Sequence, residues 1–358
     1  MSAPPRVPFG WYLALRTDTV GTERPVPFAM GPHEYVAFRD REGAIQVLDA
    51  HCPHLGAHLG HGGHVVEGRL RCPFHRLEFD GQGTCVAARE YYDPERVRHV
   101  RAQRHAFVER FGLLFVWHGP NPTEPDWPFA LDALDWSGWT PAITNEGRFV
   151  ANANPLWVPE NLIDTPHLTT LHRWDLEEVL EPPAVHGDGS IRTRVRVRWR
   201  LGAQSENPRI RALGRHVHSP FELHAWATDP GMVVTTATLS DEQGGFELRN
   251  VVLATPLLEG GIQLRVLVAV KRQLTGGWVR AIRGATGWTP EDLLARIFLQ
   301  IGTRDFEGDA SVWRHRKHLE APQLIAGDGP VVAFRRWSMR FWPATADDQA
   351  APGEPTDS

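Results

Sequence analysis

The sequence predicts an α+β protein in two parts, an all-β N-terminal domain and a larger domain built on an antiparallel sheet with helices. Three observations carry this prediction. The chain has 358 residues, which exceeds one typical domain. Short runs of alternating apolar and polar residues, separated by Gly and Asp turns, fill its first third. Longer alternating strands and one strong helix signal follow.

The predicted all-β domain covers residues 9–118. Its clearest alternating runs lie at 35–38 and 44–48. The segment 119–128 is rich in Pro and is the predicted linker, because Pro and Gly interrupt regular structure. The second domain is expected to span residues 129–345.

One strand of the second domain is marked by an arginine stripe. In residues 191–201 the side chains of Ile, Thr, Val, Trp and Leu alternate with five arginines, so the two sets occupy opposite faces. The arginines form either the solvated face of an outer or edge strand, or a docking surface for an acidic redox partner. Further strands are predicted at 232–239, 246–254 and 262–271, and their short connections favour antiparallel pairing.

Helix signals occur at two places. Thr289 is a good N-cap, Pro290 suits the first turn, and an apolar periodic pattern follows. The segment 159–174 is the second predicted helical region. The tail, 346–358, is small, acidic and contains Pro, and we expect it to be disordered.

The overall composition restricts the class of protein. A net charge of −5 gives no support for general binding to nucleic acid or anionic membranes. The N-terminus lacks the pattern of a signal peptide, and no run of about eighteen apolar residues predicts a membrane span. Three cysteines cannot build a disulfide scaffold, which indicates a reducing compartment. We therefore expect a cytoplasmic protein.

Two similar short motifs form the first constellation, Cys52-Pro-His54 and Cys72-Pro-Phe-His75. Zinc sites usually take two sulfurs from one knuckle and two nitrogens from another. Here each motif combines one Cys with one His, as a [2Fe-2S] cluster requires when two thiolates bind one iron and two imidazoles bind the other. The spacing predicts such a cluster.

The remaining histidines of this segment have no matching sulfur, and we interpret them as loop or surface residues; they are His51, His58, His61 and His64. Cys85 has no neighbouring His motif. It is expected to be a buried or half-buried thiol.

A second constellation lies in residues 160–172, which contain Asn161, Asp164, His167 and His172. An iron that activates O2 needs two His and one carboxylate, with open positions for oxygen and substrate. If the segment is one helix, Asp164 projects between the two imidazoles and is available as an acceptor for a ligand N–H. Alternatively Asp164 is an N-cap and the histidines are ordinary polar positions.

The third ligand must come from elsewhere in the chain. Asp305 and Asp309 share one predicted helical face, and Glu307 lies between them. Alternatively, all three are part of an exposed acidic end of the helix. For Asp305 this is the expected position.

These motifs resemble the oxygenase α subunits of the Rieske-type non-haem iron oxygenases. The similarity covers about residues 9–343 and departs at Leu77, where many members carry an aromatic residue. Residues 317–342 are similar to the C-terminal region of ketosteroid 9α-hydroxylase oxygenases and cholesterol 7-desaturases. Aminopyrrolnitrin-type arylamine oxygenases share much of the pattern.

The resemblance implies a Rieske domain followed by a catalytic domain of the helix-grip type, with an apolar pocket. It implies a cluster held by Cys52, His54, Cys72 and His75, and a mononuclear Fe(II) held by His167, His172 and Asp309. Asp309 is favoured because the third ligand of the family shortly precedes an aromatic residue. Asn161 is expected near the iron.

The same resemblance implies a homotrimer in which electrons cross a subunit boundary. Asp164 would bridge His167 to the partner subunit's His75. Electrons would come from NAD(P)H through a separate reductase, with or without a ferredoxin, since the sequence lacks a dinucleotide-binding fingerprint.

Three functions are compared. The first is O2-dependent hydroxylation or desaturation of a bulky hydrophobic molecule, with a sterol or steroid preferred. The second is N- or C-oxygenation of an arylamine or heteroaromatic secondary metabolite. The third is a zinc-stabilised binding protein without enzymatic activity.

Overall fold

The described part of the chain, in a computed structural model, comprises residues 7–88, 92–198, 220–241, 244–272, 283–284 and 287–342. It has the predicted α+β class. The predicted tail, 346–358, and the last three positions of the strand predicted at 191–201 lie outside these ranges.

The N-terminal region contains ten strands within the described ranges. In chain order they are β1 (Gly10–Arg16), β2 (Val26–Met30), β3 (His33–Arg39), β4 (Ile45–Asp49), β5 (His64–Val66), β6 (Arg69–Arg71), β7 (Leu77–Phe79), β8 (Cys85–Ala88), β9 (Phe107–Arg110) and β10 (Leu113–His118). They form three antiparallel sheets with the orders β1-β10-β9, β2-β3-β4 and β5-β6-β7-β8. The strand predicted at 35–38 is confirmed as part of β3, and the strand predicted at 44–48 corresponds to β4, which begins and ends one residue later.

One large antiparallel sheet dominates the second region. Its strands are β11 (Ile143–Thr144), β12 (Arg148–Val150), β13 (Asp175–Val185), β14 (Ile191–Arg198), β15 (Phe221–Asp229), β16 (Met232–Asp241), β17 (Gly244–Pro256) and β18 (Ile262–Val270). The order is β11-β18-β17-β16-β15-β14-β13, and β12 also pairs with β18. The three strands predicted at 232–239, 246–254 and 262–271 correspond to β16, β17 and β18.

The helices of the described ranges are few. They are α1 (Pro94–Val97), α2 (Trp157–Glu160), α3 (Pro166–Thr170), α4 (Pro290–Trp313) and α5 (Val331–Met339), with 3-10 turns at Thr17–Thr19, Ala130–Ala133 and Asn161–Ile163. The predicted start of α4 is confirmed: Thr289 is its N-cap and forms a reciprocal capping box with Asp292. None of these helices combines the length and apolarity needed to cross a lipid bilayer.

The large sheet has two differently covered faces, because side chains alternate along each strand. On β16, Val233 faces a core that α2 and the C-terminal helices complete, and Ala237 faces the core formed by α4. Met232 and Val234 face the opposite side, where they pack with Trp11 of the N-terminal region. The sheet therefore lies between α4 and the β1-β10-β9 sheet.

The predicted linker, 119–128, is packed against both regions. The indole of Trp127 lies edge-on to Trp117, with ring centroids 4.6 Å apart, and edge-on to Phe341 at 5.2 Å. Its Nε1 donates a hydrogen bond to the buried Asp229 carboxylate at 2.9 Å. Buried residues on both sides of the predicted linker belong to one hydrophobic core, so the core marks no boundary there. The domain limits at 118 and 129 stay predictions.

The arginine stripe lies on β14, between β13 and β15, and is not at a sheet edge. Three of its arginines make ion pairs with nearby acidic side chains: Arg192 with Asp188, Arg196 with Glu178 and Glu222, and Arg198 with Glu177. Such paired charges are typical of the outer, solvated face of a sheet. Its interpretation as a docking surface stays a prediction.

Candidate metal centres

The two Cys-His motifs form loops with the same backbone geometry. In each loop the cysteine N–H donates to the carbonyl five residues later, and the N–H four residues later donates to the cysteine carbonyl. The four bonds are Cys52 N to Ala57 O (2.8 Å), Gly56 N to Cys52 O (2.9 Å), Cys72 N to Leu77 O (2.8 Å) and Arg76 N to Cys72 O (3.2 Å). The similarity in sequence therefore reflects a similarity in backbone shape.

A left-handed residue occupies the same place in both loops. Gly56 has φ 75° and Arg76 has φ 58°. Glycine adopts this region freely, whereas a side chain makes it costly. The structure holds Arg76 there, which indicates that the loop shape is imposed by its function or packing.

The four expected cluster ligands come together at the loop tips. The thiols of Cys52 and Cys72 are hydrogen-bonded to each other, and this bond lowers the pKa of Cys72 to about 6. The rings of His54 and His75 lie 4.7 Å apart, and His54 Nδ1 is buried without a partner in the described ranges. Two paired sulfurs beside two imidazoles, one with an unsatisfied nitrogen, fit a diiron cluster with mixed ligands.

The other residues of this segment have separate partners. His51 and His58 both approach the Glu34 carboxylate, at 3.7 and 3.8 Å. His58 Nδ1 also accepts a hydrogen bond from Gly60 N at 3.0 Å. Cys85 is fully buried, as expected, and burial raises the pKa of its thiol.

The segment expected to be one helix is broken into three short pieces. The α2 helix is followed by the 3-10 turn, which ends at Asp164, and α3 begins at Pro166. Asp164 has φ −109° and ψ 81°, outside the helical region. The N-cap of α3 is Thr165, so the interpretation of Asp164 as an N-cap is wrong. Pro166 lacks the N–H that a continuous helix would direct to the carbonyl four residues earlier, and its ring would clash with that carbonyl, so one helix cannot run through this position.

Asp164 reaches His167 through its backbone. The Asp164 carbonyl, and not its carboxylate, accepts the hydrogen bond from His167 Nδ1–H. This bond fixes the tautomer and leaves Nε2 free for a metal. The Asp164 side chain is exposed.

Three side chains converge beyond this break, as one group whose ligand atoms lie within 4.8 Å of one another: His167, His172 and Asp309. His172 Nε2 lies 3.4 Å from Asp309 Oδ2. Asn161 Nδ2 donates to the other carboxylate oxygen, Oδ1, at 3.0 Å. Asp309 Oδ2 is buried, lies within the triad and has no hydrogen-bond partner in the described ranges.

The electrostatics of the triad suit a divalent cation. Burial lowers the pKa of His172 to about 4 and also lowers that of His167, which keeps both imidazoles neutral. Burial raises the pKa of Asp309 to about 7. A buried carboxylate without a cation is unfavourable, and a metal ion would compensate it. The arrangement matches the two-His, one-carboxylate pattern of non-haem iron.

An apolar cavity of about 120 Å³ reaches the triad from one side. His167 and His172 are part of its wall. Its walls come from α3, α4 and the inner face of β14–β17, with Trp174, Phe298 and Phe306 among the aromatic members.

The three candidate carboxylates have different surroundings. Asp309 lies in the triad. Asp305 lines the cavity one helical turn away, so its expected place at an exposed helix end is wrong. Asp305 and Asp309 lie one turn apart on the same face of α4. This face is directed inwards at both positions, so Asp305 lies in the cavity wall. Glu307 is exposed and makes an ion pair with Arg148.

Sequence reasoning missed two polar residues of the cavity wall, Thr235 on β16 and Asn250 on β17. A signal was present in the sequence. Asn250 lies between Leu248 and Val252 on the apolar face of a predicted strand, where a polar side chain is unusual.

A wider groove, of about 710 Å³, lies on the outer side of the triad. Asp164, His167 and Asp309 contribute to it. Its rim carries exposed apolar side chains, including Val312, Leu319 and Leu324.

The matches to protein families fall on two parts of the chain, which correspond to the N-terminal region and to the region with the large sheet. Residues 10–98 match the Rieske [2Fe-2S] domain. Residues 116–342 match the 3-ketosteroid 9α-hydroxylase C-terminal domain, which covers more than half of the chain. The first match contains both Cys-His loops, and the second contains the triad and the cavity.

Among curated proteins, the chain is 24% identical to cholesterol 7-desaturase of Caenorhabditis elegans, over 95% of this chain and 78% of that protein. It is 26% identical to the oxygenase component of 3-ketosteroid-9-alpha-monooxygenase of Rhodococcus rhodochrous, over 95% and 85% of the two chains.

Solved structures show the same fold. Apo dicamba monooxygenase superimposes with a TM-score of 0.59 at 18% identity, over 92% of this chain and 95% of that chain. NdmA of Pseudomonas putida CBB5 with caffeine gives a TM-score of 0.59 at 15% identity. With both family matches in place, the chain belongs to the Rieske non-haem iron oxygenases, in the group that carries the 3-ketosteroid 9α-hydroxylase C-terminal domain, and its cofactors are a [2Fe-2S] cluster and a mononuclear iron that works with O2.

Proposed function

We propose that this oxygenase hydroxylates or desaturates a steroid-like, polycyclic hydrophobic substrate. The observation that carries the proposal is the apolar cavity whose wall includes His167 and His172. The relatives named cholesterol 7-desaturase and 3-ketosteroid-9-alpha-monooxygenase support this substrate class.

The residues are assigned to the two centres as follows: Cys52, His54, Cys72 and His75 hold the cluster, and His167, His172 and Asp309 hold the iron. Bound there, the two groups supply single electrons and O2 activation. Asn161 fixes the carboxylate of Asp309 through its 3.0 Å hydrogen bond. The Asp164 carbonyl fixes the ring of His167.

The cavity provides binding and exclusion of water. Its walls carry Val195, Leu223, Val252 and Phe298, which favour an apolar substrate through burial of surface. The volume of about 120 Å³ is below the roughly 300–1,000 Å³ of pockets for drug-sized ligands. A four-ring substrate therefore requires the walls to move apart.

The chain is proposed to act as a homotrimer. Leu55 and Phe74 are exposed by 65% and 62%, and they project beside the cluster ligands. The groove beside Asp164 offers a complementary apolar rim on the other side of the iron site. Docking of the loop tips of one subunit into the groove of the next would place Asp164 between the two centres.

Electrons are proposed to come from NAD(P)H through a separate reductase, with or without a ferredoxin. The proposed site of action is the cytoplasm, which agrees with three free cysteines.

The test of this function uses His172→Ala in the full chain. We expect the variant to keep the reddish-brown colour and the signal of the reduced cluster, and to lose the third iron and all turnover. Iron and sulfide analysis, electron paramagnetic resonance and a turnover assay with a surrogate reductase measure these properties. Asp305→Asn is the matched control and should retain the third iron. Turnover by His172→Ala would reject the assignment of the iron site.

The substrate class is tested with sterols, ketosteroids and arylamines and mass-spectrometric detection of products. Conversion of a sterol or ketosteroid supports the proposal. Oxidation of an arylamine, with no steroid converted, would reject it.

A further inference from the structure

The cavity wall contains a row of four residues, three of them polar, that crosses four strands. Thr193, Ala225, Thr235 and Asn250 are directly opposite one another from β14 to β17. All four line the cavity. The neighbouring positions on the same face are apolar, on one side Val195, Leu223, Ala237 and Leu248, and on the other Val233 and Val252.

The polar groups of this row differ in their hydrogen bonding. Thr193 Oγ1 donates to the Glu181 carbonyl at 3.1 Å, so its hydroxyl is satisfied within the sheet. Within the described ranges, the hydroxyl of Thr235 makes no hydrogen bond. The side-chain amide of Asn250 has no partner there either, and its Oδ1 is shielded from solvent.

Other asparagines near the site are satisfied, which makes Asn250 distinctive. Asn161 binds Asp309, and Asn145 donates to Thr303 Oγ1 at 3.2 Å and accepts from Val266 N at 3.1 Å. A buried amide without a partner is unfavourable unless water or a ligand satisfies it. Its position in a cavity indicates that the partner is the occupant of that cavity.

We infer that Asn250, assisted by Thr235, binds one uncharged oxygen substituent, a keto or hydroxyl group, of an otherwise apolar substrate. This inference rests on the proposed function and deepens it. The amide both donates and accepts, so it suits either substituent. The Asp305 carboxyl lines the same cavity, which disfavours an anionic group.

The consequence is control over which carbon reacts. Asn250 and the pair His167 and His172 belong to the walls of one cavity. An oxygen held at Asn250 fixes one end of a rigid ring system, and the carbon presented to the iron follows from that anchor. Asn250 is thus a specificity-determining residue.

The experiment compares a 3-ketosteroid, its 3-hydroxy analogue and the parent steroid hydrocarbon, which has the same rings without oxygen. Dissociation constants for the holoenzyme, kcat and KM with a surrogate reductase, and the position of the product oxygen or double bond are measured. Wild type should bind either oxygenated ligand about 10–100-fold more tightly than the hydrocarbon.

Asn250→Leu has a side chain of similar size without polar atoms. We expect it to remove the preference, because affinity for the oxygenated ligands falls while affinity for the hydrocarbon is unchanged or rises. Products should also become mixed in position. Asn250→Ala serves as a second variant if the first does not fold. Leu248→Met alters the same wall without changing its polarity and should keep the preference.

The outcomes separate the two proposals. An unchanged preference and product position in Asn250→Leu would overturn the role of Asn250, and the steroid substrate class would stand. Failure of wild type to bind or convert any of the three ligands would overturn the substrate class, and this inference with it.

Discussion

Asp309 is oriented by a hydrogen bond from a neighbouring amide. Asn161 holds one carboxylate oxygen, and the other oxygen faces His172 at 3.4 Å. A ligand that is held in this way loses little freedom when the metal binds, so the neighbour contributes to metal affinity.

Replacement of Asn161 by Ala should therefore weaken iron binding about 10–100-fold while the cluster is unaffected. The measurement is iron retention against a competing chelator, with the cluster followed by its absorption. Asn145→Ala removes another hydrogen-bonded, half-buried amide of the same region and is the control. Iron retention equal to wild type would show that Asn161 does not support the carboxylate.

Asp164 presents two separable groups. Its carbonyl binds His167, while its carboxylate is exposed in the groove. Asp164→Asn keeps the carbonyl, and we expect both metal centres to remain while electron delivery to the iron slows. Single-turnover kinetics with a pre-reduced cluster measure this rate. A wild-type rate would exclude the carboxylate from the electron path.

At the scale of elements, the site depends on one long helix and one interrupted helix. The α4 helix carries both Asp305 and Asp309 and packs on the sheet through Phe298. Its first turn is fixed by Thr289, whose Oγ1 accepts from Asp292 N and whose N–H donates to the Asp292 carboxylate at 2.8 Å.

Thr289→Ala removes the side-chain half of this capping box. We expect a loss of about 1 kcal/mol in the free energy of unfolding, because one N–H of the first helical turn loses its acceptor. Urea denaturation followed by circular dichroism gives the value. Thr289→Ser retains the hydroxyl and should be close to wild type; an equal loss in both variants would argue against the cap.

The interrupted helix shows where local patterns were insufficient. The spacing of His167 and His172 was compatible with a single helix, and it placed Asp164 between them. Pro166 divides the segment, and His172 lies beyond the end of α3. The two imidazoles still meet, at a ring separation of 5.1 Å, because a turn and not a helical face brings them together.

At the scale of the whole molecule, the two regions are joined through a buried carboxylate. Asp229 accepts hydrogen bonds from Trp11 N (2.8 Å), Trp127 Nε1 (2.9 Å) and Gly231 N (2.8 Å). These donors belong to the N-terminal region, the predicted linker and the large sheet. The linker therefore does not act as an independent hinge.

Asp229→Asn should reduce the free energy of unfolding by about 1–3 kcal/mol, since an amide cannot accept from all three donors. The change also has a pH dependence. Burial raises the pKa of Asp229 from 3.8 to about 6, so the folded state holds this proton more tightly than the unfolded state. The resulting stability is present below pH 4 and is lost as pH rises through 6.

The Asn side chain does not titrate. The difference in the free energy of unfolding between wild type and Asp229→Asn should therefore be larger at pH 5 than at pH 7.5, by about 1 kcal/mol in favour of wild type. Urea denaturation of both proteins at the two pH values provides the comparison. A difference that is constant with pH would mean that Asp229 is already ionised at pH 5.

The sequence by itself determined the features that depend on local spacing. The two Cys-His loops, the alternation of β14 and β16–β18, and the cap of α4 are each encoded within a few residues, so they could be predicted. Only the tertiary structure decided which carboxylates face the cavity, that the Asn250 side chain has no hydrogen-bond partner among the described residues, and that the predicted linker belongs to a shared core. Those properties depend on which side chains distant in sequence pack together, and periodicity within one segment carries no information about its neighbours.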